Sequence, residues 1–454
     1  MVFLAEPLGY PVGSTTFVTP IQPPLKFGDA KTQDGKPALE LSEVAFTAYY
    51  PTDTVVRRKK GLDWLLRPLK CSLKGFVAFA GAIPSFVLWP LVYFYGAILR
   101  LPVYPNAPLL RPKQNAWPLV IFSHGLGGSR TAYSQICSRM AATGKVVIAI
   151  EHRDGTSPCC ITNRYDADGK PTPEVVYYLQ EEKLHRPVKH DEYLPLRQEQ
   201  LQFRCHEVHA TYSTFLSLLQ APGSGPHAVR LVDGSPVNQE DWTSDDGKPL
   251  VEAMRDVTMA GHSFGGCTAF HVLSTLPPEH AARIPITKML IYDPWLDPIP
   301  SPGPRPLDIH KIEAHRRVTS SSEETLAGGD TKTLPELVVI NSEQFTLWTE
   351  HFERLDGVVK TWGPKSTFVT LAGSSHAQFS DFLTLPFVPK RKRGMKIMDC
   401  VDRLSNAFVD GRLEEQLEGE TRRNMEVITL PGKKDKWGQA PRKLAGDLGD
   451  IIVH

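Results

Sequence analysis

The chain has 454 residues, 41% of them hydrophobic, with 51 basic against 50 acidic side chains and a formal net charge of +1. This length and apolar content support a large core in one or two domains and exclude a disordered chain, while the balanced charge gives no electrostatic ground for nucleic-acid binding. Seven cysteines (71, 137, 159, 160, 205, 267 and 400) leave an odd number without metal-ligand spacing, and the opening Met1-Val2-Phe3-Leu4-Ala5-Glu6 is too short and lacks the basic residues of a secretory signal. Reduced thiols in an intracellular, cytoplasmic setting are therefore expected.

In chain order, residues 1–40 are rich in Pro and Gly and read as a loosely packed arm. Residues Val44 to Tyr50 alternate like an early edge strand closed by Pro51. Gly75 to Leu99 is an uncharged stretch of about 25 residues, long enough for a membrane span. Arg67, Lys70, Lys74 and Arg100 flank it, and Pro84 and Pro90 interrupt it. A span would place the strands at 44–50 and 119–123 on opposite sides of a bilayer, where they could not share a sheet. The prolines and the aromatics Trp89, Tyr93 and Tyr95 suit a segment docked in the membrane surface, with a core helix or lid as the alternative.

Further strands are predicted at 119–123, 145–150, 257–260, 288–292, 336–341 and 366–371, and helices near 130–142, 196–220, 265–275 and 396–416. Strands alternating with helices predict an α/β fold with a mostly parallel sheet and helices on both faces. Polar, Pro/Gly-rich stretches at about 155–195, 221–250 and 297–335 read as surface insertions. The catalytic body is expected over 41–430, with a tail at 431–454.

The chemistry is concentrated where these elements meet. Gly261-His262-Ser263-Phe264-Gly265 lies between a strand and a helix, the context in which G-x-S-x-G forms a strained turn exposing a nucleophilic hydroxyl. Such a serine needs an acid and then a histidine later in the chain. Asp293 follows the strand 288–292, with Asp297 as the competing acid, and His376 follows the strand 366–371. Loops beyond the carboxyl ends of strands are where open α/β sheets build sites. In this reading Ser263 attacks, His376 takes its proton, and Asp293 orients the imidazole. His271, His280, His310, His315, His351 and His454 lie in helical, loop or terminal sequence and read as mostly solvated. Backbone N–H groups of Phe264, after the nucleophile, and of Leu126, in the His124-Gly125-Leu126-Gly127-Gly128 loop, would bind the oxyanion. No Cys/His ligand spacing and no phosphate loop occurs, so neither metal nor cofactor is expected. After His376 come the apolar residues Phe379, Phe382, Leu383, Leu385, Phe387 and Val388, then Lys390-Arg391-Lys392-Arg393. The basic run is a solvated charge cluster by default; beside an apolar loop it could also meet anionic headgroups.

Ser123-His124-Gly125-Leu126-Gly127, Arg130-Thr131, Tyr133-Ser134 and Glu151-His152-Arg153-Asp154 resemble blocks of the plasma and type II platelet-activating factor acetylhydrolases. Gly261 to Gly266 and Gly373-Ser374 through His376, Phe379, Asp381 and Phe382 continue the pattern in order. The resemblance spans roughly Leu41 to Val409. It implies an α/β-hydrolase fold and calcium-independent cleavage of the sn-2 ester of short-chain or oxidised phospholipids. It places nucleophile, acid and base on Ser263, Asp293 and His376, and the oxyanion donors on Leu126 and Phe264. It also implies that the region before the first oxyanion loop contributes to lipid-surface binding. The family usually carries Asp-Ala-Trp where this chain has Asp293-Pro294-Trp295. The implied partners are a phospholipid substrate and a peripheral membrane surface, contacted by Trp89, Tyr93, Phe94, Phe382 and Phe387. A soluble carboxylesterase or thioesterase would use the same triad, and a non-catalytic scaffold could use the same fold. Dehalogenases and epoxide hydrolases are excluded, because they need aspartate where Ser263 stands.

Overall fold

The computed structural model describes residues 1–53, 60–80, 85–113, 115–166, 169–186, 194–220, 229–279, 281–301, 303–304, 334–432, 434 and 440–454. They form two compact units: Met1–Val257 with Leu276–Pro285, and Thr258–Thr275 with Ile286–His454.

In the first unit, β1 (Val12–Lys31) pairs antiparallel with β2 (Pro37–Pro51), bringing Phe17 opposite Phe46. Helices α1 (Leu69–Ala80) and α2 (Ser85–Ile98) follow. Strand β3 (Trp117–Ser123) leads through α3 (Ser134–Ala142) to β4 (Val146–Ile150), which runs parallel to β3 and antiparallel to β2. A hairpin of β5 (Cys159–Tyr165) and β6 (Pro171–Tyr177) precedes the long α4 (Pro195–Leu218), which lies against β1 and β2. Strand β7 (Val251–His262) ends the unit at Val257 and continues into the second.

Two sequence expectations fail here, each for its own physical reason. Residues 1–40 are not a loose arm: β1 is a 20-residue strand, and its proline-rich centre falls at a register shift between Pro20 and Leu25. A bulge is where a sheet tolerates residues that cannot donate. Nor is 44–50 an edge, since β2 lies between β1 and β4 with every residue from Leu41 to Pro51 buried. The apparent alternation came from Thr47 and its neighbours, whose hydroxyls are satisfied inside the protein. Thr47 Oγ1 lies 2.9 Å from Thr16 Oγ1 and accepts from Arg130 Nε at 2.9 Å.

The insertions also carry structure. Of the stretch 155–195, residues 159–165 and 171–177 form the paired strands β5 and β6. Within 221–250, Trp242 is buried, its ring 5.2 Å from Tyr50, 5.6 Å from Phe17 and 5.6 Å from Phe215. One large apolar side chain thus pins a polar loop to the core. Residues 305–333 lie outside the described residues. The apolar stretch 75–99 falls on two helices, α1 and α2, with 81–84 between them outside the described residues. No helix among the described residues is long and apolar enough to cross a membrane.

The second unit is built from strand–helix–strand steps. Helix α5 (Phe264–Ser274) opens it, and β8 (Ile286–Tyr292), β9 (Glu336–Ser342) and β10 (Ser366–Leu371) run parallel, with Leu290 opposite Val338 and Val339 opposite Phe368. The short α6 (Glu343–Thr346) and α7 (Thr349–Trp362) join β9 to β10, and α8 (Arg391–Val409) follows. The apolar runs of these strands are buried, as the continuous hydrophobic pattern of parallel strands requires. The expected C-terminal tail instead ends as β11 (Ile451–Val453), antiparallel to β10, because Ile451 and Ile452 can be buried there. The architecture is an α/β fold with a mostly parallel sheet.

Candidate active site

Ser263 occupies the junction of β7 and α5 with φ 57° and ψ −120°. A positive φ is strained for any residue with a Cβ. The strain is held by the backbone: Ser263 N–H donates to Tyr292 O at 2.9 Å, and Ser263 O accepts from Trp295 and Cys267, each at 3.1 Å. Close packing explains the first glycine of the motif, because a Cβ on Gly261 would lie 2.3 Å from Gly265 O. Sequence and local geometry therefore agree on an elbow.

Asp293 caps β8, also at positive φ (40°). Its carboxylate is fully buried. Oδ1 accepts from Ser342 N–H at 2.5 Å, and Oδ2 accepts from the Ser342 hydroxyl at 2.5 Å. Oδ2 also lies 2.9 Å from His376 Nδ1, which directs the Nδ1 proton to the acid and leaves Nε2 as the acceptor. The rival Asp297 faces elsewhere, accepting from Trp295 Nε1 at 3.0 Å with Arg354 at 4.0 Å. The structure thus brings His376 to Asp293 and not to Asp297. Among the described residues, no hydrogen bond joins the Ser263 hydroxyl to His376; such contacts often tighten only with substrate.

The imidazole of His376 is held on its faces as well as its edge. Phe345 stacks on it at 4.3 Å between centroids and 5° between planes, and His262 packs at 4.3 Å and 35°. Burial, reinforced by the adjacent His376, holds His262 well below the usual histidine range, so it is neutral at pH 7. Helix α6 ties the histidine loop down. Gln344 Oε1 accepts from His376 N–H at 3.1 Å, Glu343 Oε2 from Gly373 N–H at 2.6 Å, and the Ser374 hydroxyl from Glu343 N–H at 3.1 Å. Sequence reasoning missed this segment, Ser342 to Phe345, although it follows a predicted strand end as Asp293 and His376 do. His262, Asp293 and His376 present donor atoms within 4.8 Å of one another.

Leu126 belongs to the first unit and Phe264, the first residue of α5, to the second. The Leu126 loop is tightly turned: Gly128 N–H donates to Gly125 O at 3.1 Å, and Gly127 N–H to Thr156 O at 2.9 Å. Gly127 has φ 72°, and a Cβ there would meet the ring of Phe79, at the end of α1, at 2.5 Å.

The expected lipid-contact residues divide. Tyr93 and Phe94 on α2 are 46% and 70% exposed, and Phe387 is 76% exposed. Phe382 is half-buried, and the Trp89 side chain lies outside those described. The stretch after His376 is not one apolar patch, because Phe379 and Leu385 are core residues. Of the basic run, Lys390 precedes α8, and Arg391 Nε donates to Thr384 O at 2.9 Å. His351, expected in solvent, is buried and accepts from Leu296 N–H at 3.2 Å; His280, His310 and His315 lie outside the described residues.

Residues 21–303 match the family model described as platelet-activating factor acetylhydrolase, isoform II. That match includes Ser263 and Asp293 and stops before His376. A platelet-activating factor acetylhydrolase of Gallus gallus is 28% identical over 294 residues, covering 64% of this chain and 58% of the relative. A putative phospholipase A2 of Schizosaccharomyces pombe is 30% identical over 272 residues, 57% of this chain and 58% of the relative. The Canis lupus familiaris acetylhydrolase is 29% identical over 300 residues, 64% of this chain and 54% of the relative. The chain thus spans less than three fifths of the length of these relatives. Among solved structures, a ferulic acid esterase from Streptomyces cinnamoneus superposes with a TM-score of 0.51 over 91% of this chain and 93% of the other at 17% identity, which shows an α/β-hydrolase fold.

Proposed function

This chain belongs to the platelet-activating factor acetylhydrolase, isoform II, family, and from that premise we propose that it is a calcium-independent serine esterase that cleaves the sn-2 ester of platelet-activating factor-like, short-chain or oxidised phospholipids. The observation that carries the reading is the buried Asp293 carboxylate, held by Ser342 and bonded to His376 Nδ1 beside the strained Ser263. A surface histidine pair would need none of these supports.

In the proposed reaction, the Ser263 hydroxyl attacks the sn-2 carbonyl carbon while its proton passes to His376 Nε2. Asp293 stabilises the resulting imidazolium through the Nδ1 hydrogen bond. The oxygen that becomes negative accepts hydrogen bonds from the N–H groups of Leu126 and Phe264, a contribution of about 3 kcal/mol per donor in related chemistry. Collapse expels the glycerol oxygen, which takes the proton from His376, and leaves an acyl-Ser263 ester. Water, deprotonated by His376, then releases the carboxylic acid and restores the serine.

The substrate is proposed to be drawn from a membrane surface on which α1 and α2 dock. Tyr93 and Phe94 supply exposed apolar area. At the end of α1, Phe79 covers Gly127, so the docking helices adjoin the Leu126 loop. The Lys390–Arg393 run would add attraction to anionic lipid, about 1 kcal/mol per residue.

The test is hydrolysis of phospholipid vesicles carrying sn-2 chains of graded length, in excess chelator, with fluorophosphonate labelling in parallel. Labelling of wild-type protein but not of Ser263→Ala, with activity falling as the unoxidised chain lengthens, is expected. Folded protein that resists the label, or activity that needs added calcium, refutes the reading.

A further inference from the structure

The first unit contains a second serine–histidine–carboxylate chain. Ser123 Oγ lies 2.7 Å from His152 Nε2, and His152 Nδ1 lies 2.5 Å from Glu207 Oε2. All three side chains are fully buried, so no ester could reach the hydroxyl and the arrangement cannot be a nucleophile. Its connections lead to the loop after β3.

Arg204, also fully buried, donates from Nη1 to Ser123 Oγ at 3.5 Å and to His124 O at 2.8 Å. Its Nη2 donates to Thr156 Oγ1 at 2.6 Å, and Thr156 O receives Gly127 N–H at 2.9 Å. Asp154 holds both Arg204 and Thr156, with Oδ2 2.7 Å from Arg204 Nε and Oδ1 2.5 Å from Thr156 Oγ1. His124 is fixed in one tautomer: Nδ1–H donates to Gly125 O at 2.9 Å, and Nε2 accepts from His152 N–H at 3.2 Å. The second Glu207 oxygen accepts from Arg153 N–H at 3.1 Å. The His124 carbonyl leads to α4, and the Gly127 N–H and, through the His124 ring, the Gly125 carbonyl lead to the 152–156 segment, while the Gly125 N–H donates to the Tyr133 hydroxyl at 3.3 Å. Buried polar groups joined this fully specify one backbone geometry, because any shift of the loop leaves a desolvated group unpaired.

We propose that the sealed chain Arg204–Ser123–His152–Glu207 is a positioning device: it sets the backbone of residues 124–128 so that Leu126 presents its N–H in a fixed direction to the developing oxyanion. The proposal rests on the reading of Leu126 as an oxyanion donor. The four residues act through the loop and touch no reacting atom. Misplacing one donor by a fraction of a bond length reduces transition-state stabilisation while leaving ground-state binding untouched.

The experiment compares Glu207→Gln and Ser123→Ala with wild type on a water-soluble acetate ester, with a trifluoromethyl ketone as a mimic of the tetrahedral oxyanion, and with amide hydrogen exchange. Glu207→Gln should lower kcat by about 10- to 100-fold with KM changed less than about twofold. Affinity for the trifluoromethyl ketone should fall by the same factor as kcat/KM. Exchange over 122–128 should accelerate while that over 336–342 stays at the wild-type rate. Ser123→Ala, which deletes one hydroxyl and keeps the volume, should show the same pattern at about three- to tenfold, and it decides the matter if Glu207→Gln fails to fold. Unchanged loop exchange, or a rise in KM in place of the fall in kcat, overturns the proposal. If wild type cleaves no ester but loop exchange still responds, the positioning chain stands and the esterase reading falls.

Discussion

Two clusters in this molecule use the same three side-chain types and differ in how they are enclosed. In the second unit, Ser263 sits at a strained turn, and the His376 side chain is 28% exposed while its acid is fully buried. In the first, Ser123 ends a regular strand, and serine, histidine and carboxylate are all sealed. Among the described residues only the sealed cluster shows the complete serine–histidine–acid hydrogen-bond chain, so such a chain does not by itself mark a nucleophile. Strain at the serine and access at the imidazole do.

The comparison is broken most severely by substitutions in the exposed cluster. Ser263→Ala and His376→Ala should each lower kcat by about 10⁴- to 10⁶-fold, with the double variant scarcely worse, because the residues act as a unit. Kinetics on a soluble ester would show this, and additive losses would separate the two roles. Asp293→Asn should lower kcat by about 10³- to 10⁴-fold, since an amide can favour the wrong tautomer of His376. Asp297→Asn, whose bonds run to Trp295 and Arg354, should change it by less than about tenfold. Reversal of the two aspartate results would move the acid to Asp297.

On stability the order inverts. Arg204→Met leaves Asp154 buried without its ion-pair partner, the mechanism that destabilises proteins by about 3–5 kcal/mol. Ser263→Ala keeps the Cβ, and with it the strain of the turn, and should change stability by less than about 1 kcal/mol. Urea unfolding of the two variants checks the contrast. A mild Arg204→Met would mean that the sealed cluster is not a structural brace.

The two clusters were also unequally legible in the sequence. Ser263, Asp293 and His376 could be read because each follows an apolar run, and the strand-end rule needs only the position of the run. The sealed cluster defeats that kind of reading. Arg204, Glu207 and Gln200 lie within α4, where charged and amide side chains normally mark the solvent face, yet all three are fully buried. Hydrophobic periodicity cannot foresee burial that depends on partners 50 or more residues away, such as Asp154 for Arg204 and His152 for Glu207. The same blindness turned β1 into an arm and left Trp242 in a loop. The parallel strands of the second unit were placed to within two residues at either end because their apolar runs are unbroken.

The last predicted effect is a pH dependence of stability to which the sealed cluster contributes. Burial, with the Arg204 charge adding to it, lowers the His124 pKa from 6.5 to about 4. A group that binds its proton more weakly folded than unfolded contributes stability that is complete above pH 6.5. That stability is lost as pH falls, because the unfolded chain takes up the proton first. The loss should reach roughly 2 kcal/mol by pH 5 and roughly 3 kcal/mol by pH 4, where His124 protonates in the folded protein too. His271, whose pKa burial also lowers to about 4, should add a loss of the same sign over the same window. Urea midpoints taken from pH 8 to pH 4 for wild type, His124→Gln and His271→Gln separate the two. Each variant should flatten the decline by its own share, and a wild-type slope retained in His124→Gln would show that His124 is not held neutral by the buried chain of the first unit.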